Sequence, residues 1–143
     1  MADQSIADTI SGVIRRFRDN GDGTFSEQVV VGAPPTFFWQ YAAASGGIVN
    51  TSDVVAQAAG GAGIRHYIKS LQVKNTHATV ATEFVIKDGS TVKWRMNLPA
   101  LMVTAEAIEF DPPIRCTANT ALNIANITTG AAVYANLQGY DAP

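Results

Sequence analysis

The densest run of candidate oxygen ligands is Asp19-Asn20-Gly21-Asp22-Gly23. Two carboxylates, an amide oxygen and turn-forming glycines are the composition of a calcium loop. The spacing argues against one. With Gly23 at the loop's glycine position, the first ligand would be Arg18 and the closing acid Val29, and neither offers an oxygen. A tight turn is the better reading. Gly60-Gly61-Ala62-Gly63 has the glycine content of a phosphate cradle, but no Lys-Ser/Thr follows and the next pattern is a strand. It reads as a flexible connector. The imidazoles, His66 and His77, lie eleven residues apart, and with the single Cys116 they make no zinc-ligand spacing. His66 is expected half-buried in a sheet and His77 solvated in an Asn75-Thr76-His77 turn. Glu106 and Glu109 could act as paired carboxylates, but on a strand they point to opposite faces. There is no Gly-x-Ser-x-Gly elbow, and nothing marks Cys116 as a nucleophile. Asn50-Thr51-Ser52 and Asn126-Ile127-Thr128 match the glycosylation pattern without a secretory signal to support its use. The expectation is a protein that is not an enzyme, with no catalytic residue, cofactor or metal site.

The element that organises the rest is the stretch 79–98. Val80, Thr82, Phe84 and Ile86 alternate onto one face, and Val92, Trp94, Met96 and Leu98 resume the alternation after Asp88-Gly89-Ser90. Period-two patterning around a glycine turn predicts a β-hairpin. A two-residue Asp88-Gly89 loop would set Phe84 against Lys93. A three-residue loop sets Ile86 against Val92 and Phe84 against Trp94, and is the register expected.

The remainder also reads as β. Ile64, His66 and Ile68 share one parity and Leu71 and Val73 the other, which predicts a bulge near Lys69-Ser70. A strand over 105–110 is broken by Asp111-Pro112-Pro113, and Ile114 and Cys116 begin another. Leu122, Ile124, Val133, Ala135 and Leu137 predict a second hairpin around Thr128-Thr129-Gly130-Ala131, with Ile124 opposite either Ala135 or Tyr134. Towards the N-terminus, Ile6, Ile10, Ile14 and Phe17 have near-helical spacing, weakened by Gly12. The preferred reading is a strand pair over 13–18 and 24–31, stopped by Ala33-Pro34-Pro35. Residues 48–63 allow a short helix capped by Ser52 or a strand over 48–55. The expected architecture is all-β: a jelly-roll-like β-sandwich core over 63–143, preceded by an extended N-terminal arm or outer layer over 1–62 that can include a hairpin.

At 143 residues and net charge −2, the chain fits one domain with no electrostatic pull towards nucleic acid or anionic membrane. No apolar run approaches a membrane span and no leader pattern opens the chain, so synthesis in a host cytoplasm is expected. Charged residues are only 15%, against about 25% in typical domains. From 28 to 64 the only one is Asp53, and from 116 to 143 the only one is Asp141. Strand edges normally carry charge to prevent pairing, so these neutral stretches are expected to be covered by this chain or a neighbouring copy. Phe37, Phe38, Trp39 and Tyr41 form an aromatic cluster, two of them expected in the core and the rest at an interface. With Tyr134 and Asn136 they are the interface candidates.

The pieces LQVKN (71–75), TEFVIKDGSTVKW (82–94), NLPA (97–100) and ANTALNIANITTGAAVYANLQGY (118–140), with NGDGTF (20–25) and YAAASGGIVNTSD (41–53) upstream, resemble a family of small tailed-bacteriophage virion structural proteins. The resemblance covers most of the chain and rests on whole pattern, not on a site motif. It implies a β-sandwich subunit repeated many times on a virion, most readily a capsid decoration or cement protein. The implied partners are the major capsid protein and further copies of this chain, as a trimer or alternatively a dimer. A tail, baseplate or fibre-attachment component is the alternative, and a glycan-binding jelly roll, with Trp39 or Trp94 as stacking platform, a third reading.

Overall fold

The computed structural model describes residues 37–143 fully and, before them, the backbone of three strands: β1 (Gln4–Ala7), β2 (Ile14–Asp19) and β3 (Phe25–Val30). The chain forms two compact units, Met1–Pro35 and Thr36–Pro143. The first contains an antiparallel sheet in the order β1-β2-β3, with Ile14 opposite Val30 and Asp19 opposite Phe25. This is the strand pair expected there; the helical spacing of Ile6, Ile14 and Phe17 goes unused. The predicted turn over 20–23 and the Ala33-Pro34-Pro35 stop lie outside the described residues.

The second unit is eight strands: β4 (Phe37–Ala42), β5 (Val54–Gln57), β6 (Arg65–Asn75), β7 (Thr82–Asp88), β8 (Thr91–Leu98), β9 (Glu106–Arg115), β10 (Leu122–Asn126) and β11 (Val133–Ala142). They build two antiparallel four-stranded sheets, ordered β5-β10-β7-β8 and β4-β11-β6-β9. No helix occurs among the described residues. The inner faces meet in one core. Phe84, Ile86, Leu122 and Ile124 come from the first sheet, and Ile68, Leu71, Val73, Val133 and Leu137 from the second, all fully buried. The protein is therefore a β-sandwich. Within 48–63 the element is a strand, not a helix, but it is β5 at Val54–Gln57 and overlaps the expected 48–55 only at Val54 and Val55. The expected division near residue 62 does not coincide with this unit, because β4 and β5 are edge strands of the two sheets.

The pairing is nested. β7 pairs with β8, β6 with β9, β5 with β10 and β4 with β11, as in one long hairpin doubled over. Only β7 and β8 are consecutive strands within one sheet of the sandwich; every other connection there crosses to the opposite sheet. The expected second hairpin is accordingly absent. β10 lies between β5 and β7, and β11 between β4 and β6. Ile124 faces Ile86 and Ala135 faces Val73, so neither proposed register exists. Alternation identifies which face a residue occupies, but not which strand lies beside it.

The central hairpin forms with a different register. The turn is Gly89-Ser90, with Asp88 opposite Thr91 and Gly89 at φ +59°. A bulge between Ile86 and Lys87 absorbs one residue of β8, so Ile86 faces Trp94 and Phe84 faces Met96. The bulge restores parity, and Trp94 and Met96 still pack on the core face. Contacts from outside the hairpin hold this turn. The Gly89 amide donates to the Ala121 carbonyl at 2.9 Å, and the Asn123 side chain donates to the Gly89 carbonyl at 2.9 Å. Trp94 meets Phe110 edge-on at 5.6 Å.

The predicted bulge appears at Lys69: both neighbours of β6 shift register between Ile68 and Ser70. β9 runs through Asp111-Pro112-Pro113 instead of stopping there, with its regular pairing interrupted between Glu109 and Ile114. β9 is an edge strand, where proline removes no needed ladder bond.

Asp88 closes the base of the turn. Its buried carboxylate accepts from the Thr117 amide at 2.8 Å and the Thr117 hydroxyl at 2.7 Å, with the Lys93 ammonium at 3.5 Å. Burial pushes this carboxyl up, but the Thr117 bonds and Lys93 together outweigh it and hold it below the ordinary 3.8. A depressed carboxylate stabilises the fold above the unfolded-state value and loses that contribution as pH falls through the folded one. Asp88→Asn is therefore expected to lower stability at neutral pH, with the gap from wild type closing below pH 3.8; thermal melts across an acid series check this. In the core, Phe84→Ala is expected to cost about 3–5 kcal/mol. Trp94→Ala costs less because the ring is only half-buried, a ranking that urea titration reads directly.

Candidate binding surfaces

Both imidazoles make hydrogen bonds within the fold. His66 is fully buried, not half-buried, with Nδ1 2.6 Å from Asp141 Oδ1. An ionised carboxylate only accepts, so Nδ1 carries the hydrogen. Gln57 Nε2 donates to the other Asp141 oxygen at 3.5 Å, joining β5 to β11 across the core. His77 is half-buried, and its Nδ1 accepts the amides of Thr79 and Val80 at 3.2 and 2.9 Å, capping its turn. Glu109 pairs with outward Ser70 and Glu106 with inward-facing Val73, which separates the two carboxylates as the sequence predicts. Among the described residues no group of three His, Cys, Asp or Glu could hold a metal ion. Cys116 is buried, and burial, then the Asp88 charge, push its thiol up to about 11. It is expected to resist Ellman's reagent at neutral pH in the folded protein and to react fully in denaturant.

Sequence reasoning missed the residue that organises one end of the sandwich. Asn75, at the end of β6, is fully buried. Its amide nitrogen donates to the Val80 carbonyl at 2.8 Å and the Pro99 carbonyl at 3.1 Å. Its amide oxygen accepts from the His77 amide at 3.1 Å and the Ala132 amide at 3.3 Å. One side chain thereby joins the loops after β6, β8 and β10. Asn126 adds a fourth loop, donating to the Ile48 carbonyl at 2.5 Å.

These loops carry exposed apolar side chains. Val49 is 49% exposed, Leu101 64%, Val103 86% and Ile127 53%. Backbone bonds tie the loops together: Gly130 donates to Val49, Thr76 to Ala132 and Leu101 to His77. Leu101 has φ +52°, unusual for a bulky residue, and its amide is held 2.7 Å from the His77 carbonyl. The apolar tips are thus presented on a braced platform. The apolar run Leu101-Met102-Val103, following Pro99 and lying outside any period-two strand pattern, was the available signal for them.

The second surface is the outer face of the sheet β4-β11-β6-β9. Here the two charge-poor stretches come together, because β4 lies beside β11. Register arranges the outward residues in rungs: Phe38–Tyr140–Tyr67–Arg115, then Gln40–Gln138–Ser70–Glu109, then Ala42–Asn136–Gln72–Ala107. Tyr67 and Tyr140 stack at 4.9 Å with rings 6° apart, and Phe38 meets Tyr140 edge-on at 6.5 Å. Of the six interface candidates, Phe37, Phe38, Tyr134 and Asn136 are exposed. Trp39 belongs to the core, where a Cβ at Gly139 would overlap its indole. Tyr41 is half-buried against the core, and burial raises its phenol. Two of the four clustered aromatics therefore pack inward. The Tyr134 hydroxyl accepts the Gly46 amide at 3.2 Å. Period-two spacing marks the outward polar residues, but their assembly into rungs needs the pairing.

No protein-family model, curated protein or solved structure matches the chain.

Asn75→Ala leaves two carbonyls and two amides, all part-buried, without their partner. At about 1–3 kcal/mol for each buried group left unsatisfied, partly relieved by water, it is expected to be the most destabilising single substitution outside the apolar core. Hydrogen exchange checks the location: protection falls at Val80, Leu101 and Met102 and persists in β7 and β10.

Proposed function

We propose that this chain is a bacteriophage virion structural protein, a capsid decoration protein that binds the outside of the major capsid shell and stabilises the head. We further infer that its sandwich is a jelly roll. The nested pairing, with sheet orders first-eighth-third-sixth and second-seventh-fourth-fifth when the sandwich strands are numbered alone, supports that winding.

The observation that carries the reading is the end platform. Val49, Leu101, Val103 and Ile127 expose apolar surface on loops braced by Asn75 and Asn126. A rigid apolar patch binds without a large ordering cost, and repetition over a symmetric shell multiplies a modest contact by avidity. The N-terminal unit, in this proposal, serves as an arm that grips a neighbouring subunit. The free edge of β4, which carries no charged side chain, supplies contacts between copies by strand pairing and leaves the outer face of the sheet open, as a trimer at threefold positions or a dimer at twofold positions.

Co-sedimentation with capsids lacking this protein tests the proposal. Wild type is expected to pellet with capsids, and the Leu101→Asp/Val103→Asp double variant, with an unchanged melting temperature, to bind at least about tenfold more weakly. Binding to purified tails with no affinity for capsids would replace the decoration reading with a tail, baseplate or fibre-attachment role.

A further inference from the structure

We propose that the outer face of the sheet β4-β11-β6-β9 is a binding site for a neutral oligosaccharide. It is a separate site from the loop platform and does not depend on the decoration reading. Three observations converge on it. The first is side-chain chemistry. Gln40, Gln138, Asn136 and Gln72 are exposed and occupy consecutive cross-strand positions. Each amide offers one acceptor and two donors on a planar group, which matches the paired donor and acceptor character of neighbouring sugar hydroxyls. The second is an aromatic end. Phe38 is 84% exposed, and its position beside Tyr140 is fixed by the edge-on contact. The electron-rich ring face is complementary to the C–H side of a pyranose.

The third is shape. A depression of about 460 Å³ lies beside Phe38, Gln40, Gln138 and Tyr140. A second of about 390 Å³ shares Gln40 and Gln138 with it and reaches Gln72 and Asn136. A third, about 240 Å³, continues across Asn136 and Gln72 to Ala107. Alanines at both ends of the Asn136–Gln72 rung, Ala42 and Ala107, leave room above the sheet. The result is a continuous track across the strands, as a linear chain of sugars requires, and not a single closed pocket.

Other occupants fit less well. A charged ligand would need one sign of potential, yet Lys69 and Glu109 border the track with opposite signs and its centre is uncharged. A second protein surface would be expected to find large apolar or arginine anchors at the centre, and here the centre is amide and alanine, with the aromatics at one end.

The test is an NMR titration of the full chain, following the side-chain amide resonances of Gln40, Gln72, Asn136 and Gln138. The probes are short linear oligomers of glucose, galactose, mannose and N-acetylglucosamine at millimolar concentration. At least one probe is expected to give saturable shifts at these amides. Gln138→Ala and Asn136→Ala are expected to weaken it about tenfold, the loss of one or two hydrogen bonds. Glu83→Gln on the opposite sheet should leave binding unchanged. Both alanine variants alter exposed side chains, and an unchanged melting temperature excludes unfolding as the cause. The proposal fails if no probe shifts these resonances, or if binding survives both alanine substitutions. It also fails if the amides shift only with protein concentration, which would assign the face to a second copy of the chain.

Discussion

The sandwich depends on one constraint: the chain doubles back at Gly89-Ser90 and remains paired with itself on both sides of that turn. Once β7 and β8 are joined, β6 is committed to β9, β5 to β10 and β4 to β11. Because the strands before and after the turn step alternately between the two sheets, both sheets grow together. One inner face is complete only when β10 is in place and the other only when β11 is. This explains why the turn is held by β10 and its approach, through Ala121 and Asn123, instead of by its own two residues. It also explains why a bulge occurs at Lys69 in β6, which lies between β11 and β9. A strand with two partners must satisfy both registers while keeping Ile68, Leu71 and Val73 inward, and an extra residue is the local way to do so.

The same constraint decides the surface. Charge-poor segments far apart in sequence become neighbours because the first and last strands of the sandwich pair. The outer face of β4 and β11 is therefore an uncharged lattice of amides, Ala42 and aromatic rings, bordered on β6 and β9 by Lys69, Glu109 and Arg115. The opposite sheet differs: Glu83 bonds Arg95 at 3.1 Å and Lys87 bonds Asp53 at 2.5 Å on its outer side. Exposed ion pairs of this kind add little stability, but they keep that side hydrated and poorly suited to association. The two faces of one small sandwich thus have different chemistries.

At the loop end the governing term is the cost of unsatisfied backbone groups. Crossing between sheets leaves carbonyls and amides that no ladder can pair. Asn75 uses its donors and acceptor on them while fully buried. The loops are consequently rigid enough to display Leu101 and Val103 to solvent. Buried polar groups elsewhere serve architecture in the same way. Asp141 and His66 join β11 to β6, and Asp88 anchors Thr117.

Sequence alone determined the all-β class, the strand pair near the N-terminus, the Lys69 bulge, the turn within 88–90 and most of the core. Each is a local matter, set by period-two alternation, a parity change or a glycine that admits positive φ. Only the tertiary structure decided which strands are neighbours. Alternation in Leu122–Asn126 and Val133–Ala142 reads equally as a hairpin or as two strands in different sheets, and burial on both faces of the core selected the second. The central register likewise turned on β10, which is distant in sequence. Asn75 looked like an ordinary turn residue because its partners, Val80, Pro99 and Ala132, belong to loops that only the fold assembles. The amide rungs were present as period-two polar positions in separate strands, and antiparallel pairing made them a surface.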